Sequence, residues 1–122
     1  MKFQATLCII LTFLKCYRSM SLSDTTAKRI LVTGANKGIG KAICARLLTE
    51  WKDTHVLVGT RDLERGKLAI RELIQECGPE CEKRLQLLKL DTGDDQSVKD
   101  AAQSIAAEPK LYGIINNAGV RS

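Results

Sequence analysis

Histidine is nearly missing from this chain: of 122 residues, only His55 carries an imidazole. Zinc sites draw on clustered cysteine and histidine, so a lone histidine leaves the five cysteines to make that case. They do not make it. Cys8 and Cys16 fall in the first twenty residues, Cys44 sits inside a helical pattern, and only Cys77 and Cys81 are close together, in "CGPEC". Their C-x-x-x-C spacing is neither the redox C-x-x-C pair nor a zinc half-site, and an odd count builds no complete disulfide framework. Two readings stand for that pair: free thiols around a helix end, or a local disulfide in a secreted protein. No metal site is expected.

Aromatic residues are scarce at 4%, and the basic residues are dispersed. The net charge of +5 leans on Lys2, Lys15 and Arg18, which all precede the first acidic residue. A nucleic-acid surface needs clustered positive charge, so nucleic acid is not an expected partner. No internal period of the solenoid kind is present. Long apolar runs are lacking too: Phe3 to Leu14 is 12 residues, short of the about 20 that cross a bilayer. Behind Lys2 that run has the form of a secretory signal, yet Lys15, Cys16, Tyr17 and Arg18 stand where a cleavage site wants small residues. Met20 offers another start, followed by the polar "SLSDTTAK". Residues 1–20 are therefore set apart as a leader, either a non-native extension of a cytoplasmic protein or a signal directing the chain to the secretory pathway or a membrane.

The rest of the chain is well supplied. With 44% hydrophobic and 27% charged residues it has the make-up of one globular domain. "RILVT" is an apolar run without alternation, as expected of a parallel strand buried on both faces. A helix follows over about 38–51, with Ile39, Ile43, Leu47 and Trp51 as its apolar stripe. "HVLVGT" (55–60) is a second strand. An amphipathic helix over 62–77 carries Leu63, Ile70, Leu73 and Ile74, and Gly78 and Pro79 end it. "RLQLLKLD" (84–91) is a third strand. The helix over 94–108, capped by Asp94 or Asp95, presents Val98, Ala101, Ala102 and Ile105. "LYGIIN" (111–116) is the fourth strand. Alternating strands and helices with short loops predict an α/β fold: a Rossmann-type doubly wound parallel sheet, cut after its fourth strand, within a partial dinucleotide-binding domain over 28–122.

Glycines collect at one place. "TGANKGIG" sets Gly34, Gly38 and Gly40 between the first strand and the first helix. Gly34 permits a tight turn, Gly38 lets a phosphate approach the backbone, and Gly40 lets the helix pack closely. The helix N-terminus offers N–H groups and positive dipole to a pyrophosphate. The second strand ends Gly59-Thr60-Arg61, without the carboxylate that holds the ribose of NAD. Arg61 and Lys37 instead suit a 2′-phosphate, favouring NADP(H) over NAD(H), while Asp62 is assigned to capping the next helix. Asp91 ends the third strand, either meeting an adenine edge or simply turning the chain. "NNAG" (116–119) ends the fourth, where its asparagines can stitch strand ends together.

These motifs, in this order, resemble the short-chain dehydrogenase/reductase family. The likeness runs over about 28–120: T-G-x-x-x-G-I-G at Thr33 to Gly40, the aspartate after strand three at Asp91, and N-N-A-G at Asn116 to Gly119. "TGANKGIG", "TRD" and the "RG" at 65–66 are most similar to NADPH-dependent carbonyl reductases. The resemblance implies cofactor contacts at Gly34, Asn36, Lys37, Gly38, Ile39, Gly40, Arg61, Asp91, Thr92, Asn117, Ala118 and Gly119. It also implies hydride transfer between NADPH and a carbonyl, with a tyrosine as acid/base beside a lysine in Y-x-x-x-K. Neither Tyr17 nor Tyr112 has a lysine four residues on. In the family those residues follow strand four, so no catalytic residue is assigned here, and Asn116 and Asn117 are not promoted to that role. Two functions are expected to compete: the NADP(H)-binding portion of a carbonyl-reductase-like enzyme, inactive alone and meeting a small carbonyl substrate only in a full-length form, or a non-enzymatic half-domain that binds nucleotide or pairs through the open edge of strand four.

Overall fold

The computed structural model describes residues 27–119, so the leader reading of residues 1–20 lies outside the described residues, as do positions 120–122. Four strands form one sheet: β1 (Lys28–Val32), β2 (Thr54–Thr60), β3 (Leu85–Lys89) and β4 (Gly113–Ile115). All pairings are parallel and the spatial order is β3-β2-β1-β4. Three helices connect them: α1 (Gly38–Glu50), α2 (Leu63–Cys77) and α3 (Asp95–Ser104), with a 3₁₀ segment, Pro79–Arg84, ahead of β3. The chain steps outward from β1 through β2 to β3, then returns across the sheet to place β4 on the other side of β1. That reversal makes the Rossmann-type, doubly wound arrangement the sequence predicts.

Residue alternation assigns the two faces. Val32, Val56 and Val58 pack with Cys44, Ala45 and Leu48 of α1 and Leu73 of α2. Leu31, Leu57 and Leu88 point the other way, onto Ala101 of α3. Three successive residues of β2, Val56 to Val58, are thus fully buried, which is why the strand reads as a continuous apolar run. Each such side chain contributes about 1.5–3 kcal/mol on burial.

The helix faces differ from their predicted stripes. In α1 the buried side is Gly40, Cys44, Ala45 and Leu48, whereas Ile39 is 74% and Trp51 51% exposed, with Ile43 and Leu47 half-buried. The small residues win the inner face because they let the helix sit close to sheet and loop. A Cβ on Gly40 would lie 2.4 Å from the Gly34 carbonyl oxygen. In α2, Gly66 and Ala69 join Leu73 inside, while Leu63 is 38% exposed. Gly66 is required by close packing, since its Cβ would meet Leu87 Cδ1 at 2.5 Å and Thr60 Cγ2 at 2.6 Å. In α3 only Ala101 is buried; Val98 and Ala102 are exposed, and the helix ends at Ser104 rather than 108. Pro109 disfavours helix just before it, and the Arg29 guanidinium bonds the Glu108 carboxylate and the Pro109 carbonyl.

Arg84 has a comparable role at the far end of α1, which carries no basic residue in its last turn. Its guanidinium donates to Leu48 O (2.8 Å), Thr54 O (3.0 Å) and Trp51 O (3.3 Å), closing the helix C-terminus with positive charge. On the α3 side of the sheet, Ile114 of β4 is 54% exposed and Tyr112 just before it is 68% exposed. Among the described residues β4 pairs only with β1. No helix among the described residues is long and apolar enough to cross a membrane.

Candidate functional site

Because all four strands run the same way, their C-terminal ends share one rim of the sheet. The turn after β1, Arg61 after β2, Asp91 after β3 and Asn117 after β4 all emerge there, around the reversal between β1 and β4. Crevices at such a reversal are where open α/β sheets take ligands.

The β1–α1 turn is built by backbone geometry. Gly34 has φ 62° and its Cβ would lie 2.9 Å from Ala118 Cα, so the turn needs glycine for both its angle and its contact. Ala35 N donates to Gly59 O at 3.0 Å, tying the turn to β2. Asn36 is half-buried and Lys37, Gly38 and Ile39 are exposed. Gly38 has φ 59°, and nothing lies within 4 Å of where its Cβ would be. The space beside this backbone is open. Lys37 occupies the N-cap of α1 in extended conformation, no side chain caps the helix, and its first turn holds no acidic residue. The N–H groups of that turn therefore keep their dipole unneutralised.

The "NNAG" segment closes the other side of the reversal. Thr33 Oγ1 accepts from Asn117 N and Ala118 N, both at 2.9 Å, and Asn117 Nδ2 donates to Gly34 O at 3.1 Å. Of the two asparagines expected to stitch strand ends, Asn117 does so, while Asn116 is exposed. Gly40 is held by the same contact, since its Cβ would meet Asn117 Nδ2 at 2.6 Å. Thr33, only 3% exposed, received no role from sequence reasoning beyond its place in the motif. A hydroxyl at the last position before the glycine turn was the available signal.

The remaining predicted positions are distributed along the rim. Arg61 is exposed at the end of β2. Asp62 is committed elsewhere: its Oδ1 accepts from Glu64 N (3.0 Å) and Arg65 N (3.2 Å), capping α2. Asp91 turns the chain, with Oδ1 accepting from Gly93 N at 3.0 Å and its own N–H bonded to Ser97 Oγ at 2.9 Å. Thr92 and Gly119 are exposed and Ala118 lies at the mouth of the glycine turn. Cysteines 44, 77 and 81 are free thiols, and no cluster among the described residues could hold a metal ion.

At the opposite rim a groove of about 570 Å³ is lined by Arg29, His55, Gln86 and Glu108. Its polar groups bond one another: Arg29 meets Gln86 Oε1 at 3.1 Å, and Gln86 donates to the Glu108 carboxylate at 3.2 Å. Burial and then the Arg29 cation hold the His55 imidazole below its ordinary pKa. Arg29, Gln86 and Glu108 are thus engaged with one another.

Comparison with known proteins decides the family. Residues 28–122 match the short chain dehydrogenase family. The chain belongs to that family. Human retinol dehydrogenase 11 is 37% identical over 94 residues, which is 76% of this chain and 28% of the relative. Among solved structures, menthone neomenthol reductase from Mentha piperita superposes with TM-score 0.72 at 38% identity, over 78% of this chain and 32% of that one. The NADPH-bound carbonyl reductase from chicken fatty liver gives TM-score 0.63 at 30% identity, over 79% of this chain and 36% of that one. The chain thus spans about a third or less of the length of these short-chain dehydrogenase relatives.

Proposed function

We propose that this chain is the NADP(H)-binding portion of a carbonyl-reductase-like short-chain dehydrogenase. The observation that carries the reading is the uncapped start of α1, where Gly38 leaves open space beside bare N–H groups at the sheet reversal. A pyrophosphate satisfies those groups and meets the positive end of the dipole. In this reading Gly34, Asn36, Gly38, Ile39 and Gly40 shape the phosphate cradle. Lys37 and Arg61 receive the 2′-phosphate, as a point charge and a planar fork respectively. Asp91 and Thr92 border the adenine, and Asn117, Ala118 and Gly119 run beside the nicotinamide ribose. The NADPH bound by the chicken carbonyl reductase supports the choice of dinucleotide.

When bound, the dinucleotide supplies the hydride for carbonyl reduction. In this reading the residues of this chain bind and orient it, and none is assigned to deliver the proton to the carbonyl oxygen. The family's Y-x-x-x-K unit has no match in the sequence, so the isolated chain is expected to bind NADPH without reducing carbonyls. Isothermal titration with NADPH and NADH, beside a carbonyl-reduction assay, tests this. Saturable binding that favours NADPH without turnover supports the reading; absence of binding or turnover by the isolated chain defeats it.

The exposure of Ile114 and Tyr112 beside the one-sided pairing of β4 favours a second reading, a non-enzymatic half-domain that pairs with another subunit through that edge. Size-exclusion with and without NADPH separates the two: a stable larger species favours the paired form.

A further inference from the structure

Three thiols converge where α1, α2 and the 3₁₀ segment meet, and nothing in the nucleotide reading uses them. Cys44, Cys77 and Cys81 pack in one cluster, with Cys44 fully buried, Cys81 2% exposed and Cys77 half-buried. Cys77 ends α2; Gly78 then turns the chain at φ 107°, and Pro79 starts the 3₁₀ segment that folds Cys81 back. Cys81 N donates to Gly78 O at 3.1 Å and its thiol donates to the Cys77 carbonyl oxygen at 3.4 Å. Arg84 Nη2 approaches Cys81 Sγ at 3.5 Å. The same nitrogen donates to Leu48 O, so the state of Cys81 is linked to the end of α1.

We propose that Cys77 and Cys81 are a reversible dithiol–disulfide pair, a redox site formed by the turn at Gly78. Cys77 is the entry thiol because it alone of the three is partly exposed. Its thiolate attacks a sulfur of a small-molecule disulfide such as oxidised glutathione, breaking that S–S bond and releasing one glutathione thiolate. The Cys81 sulfur, which the turn at Gly78 folds back onto the end of α2, then attacks the Cys77 sulfur and releases the second glutathione. One disulfide is reduced to two thiols as the protein dithiol is oxidised, and the two cysteine protons end on the two glutathione thiols. Burial, with the neighbouring Cys81 and Glu76 adding to it, pushes the Cys77 thiol up. Exchange is therefore slow, and the pair is read at equilibrium. Cys44, raised to about 12 by burial, stays reduced.

The test equilibrates the full chain, with Cys8→Ser and Cys16→Ser, in glutathione buffers of increasing oxidised fraction, followed by intact mass and peptide mapping. The unsubstituted chain is mapped in parallel. The expected result is a loss of two hydrogens, a Cys77–Cys81 crosslink in both chains, reversal by dithiothreitol, and no crosslink in Cys77→Ser or Cys81→Ser. The pair should form at least tenfold more readily in the folded chain than in urea, because the turn holds the Cys81 sulfur 3.4 Å from the Cys77 carbonyl oxygen. Free thiols at the most oxidising ratio, a crosslink to Cys44, a glutathione adduct on Cys77 that never resolves, or equal formation in urea would each overturn the proposal.

Discussion

All three helices start with the same unmet need, N–H groups without partners, and they resolve it in two ways. Asp62 and Asp94 cap α2 and α3, each accepting from two backbone N–H groups, and Glu64 or Asp95 adds an acidic residue to the first turn. At α1 the N-cap is Lys37, no side chain bonds the helix, and no acid follows. A missing cap forgoes about 1 kcal/mol, and a lysine at that end opposes the dipole. The loss falls at the sheet reversal, beside the open space at Gly38. Two helices are finished by their own sequence, and the third is left for an anion to finish.

The hardest break of that contrast is to deform the turn that aims α1. Gly40→Val sets a side chain 2.4 Å from the Gly34 carbonyl and 2.6 Å from the Asn117 amide, with backbone on one side that cannot yield. It is expected to cost about 1–3 kcal/mol of stability, as overpacking does, and to remove measurable NADPH binding. Urea melts and titration calorimetry check both. Gly40→Val binding NADPH like the parent chain would show that the loop geometry is not what the nucleotide needs.

A more direct test makes α1 resemble its neighbours. Lys37→Asp supplies the cap that α2 and α3 have, so the helix should gain about 0.5–1 kcal/mol. The same carboxylate then occupies the phosphate's donors, and NADPH affinity should fall at least about tenfold, roughly 1.4 kcal/mol. NADH, which has no 2′-phosphate for Lys37 to receive, isolates the effect: stability and NADH affinity move in opposite directions only if the bare N-terminus is kept for a ligand. A variant that gains stability with unchanged affinity defeats the reading.

The contrast was partly legible in the sequence. Asp62 and Asp94 stand where capping residues belong, and the spacing of Gly34, Gly38 and Gly40 marked the open turn. The doubly wound parallel class followed from alternating strands and helices with short loops. The buried faces of the helices were harder to read. In α1, bulk pointed to Ile39 and Trp51, but the inner face went to Gly40, Cys44 and Ala45, because closeness to the loop outweighed apolar area there. Long-range polar ties escaped as well. Neither Thr33 reaching Asn117 across 84 positions nor Arg84 closing α1 from the 3₁₀ segment leaves a periodic trace in the sequence.

A smaller effect concerns which dinucleotide the bare helix prefers. Arg61→Ala removes the planar cation at the end of β2 while leaving the α1 turn intact. NADH affinity should hold, and the preference for NADPH should shrink about tenfold, ~1.4 kcal/mol. Paired titrations with the two cofactors read the ratio directly. Equal losses for both would move Arg61 from the 2′-phosphate to the pyrophosphate.

The smallest effect comes from undoing a cap instead of adding one. Asp94→Ala strips α3 of bonds to Gln96 N (3.0 Å) and Ser97 N (3.4 Å). The helix is short and exposed, and its only buried residue is Ala101, so the loss should stay near 1 kcal/mol. NADPH affinity should change little, because the Asp94 carboxylate bonds only the helix start and is assigned no contact with the nucleotide. Denaturant melts and a single titration suffice. If stripping this cap weakened NADPH as much as Lys37→Asp does, the starts of α1 and α3 would have to be coupled, and the division between finished and unfinished helices would fail.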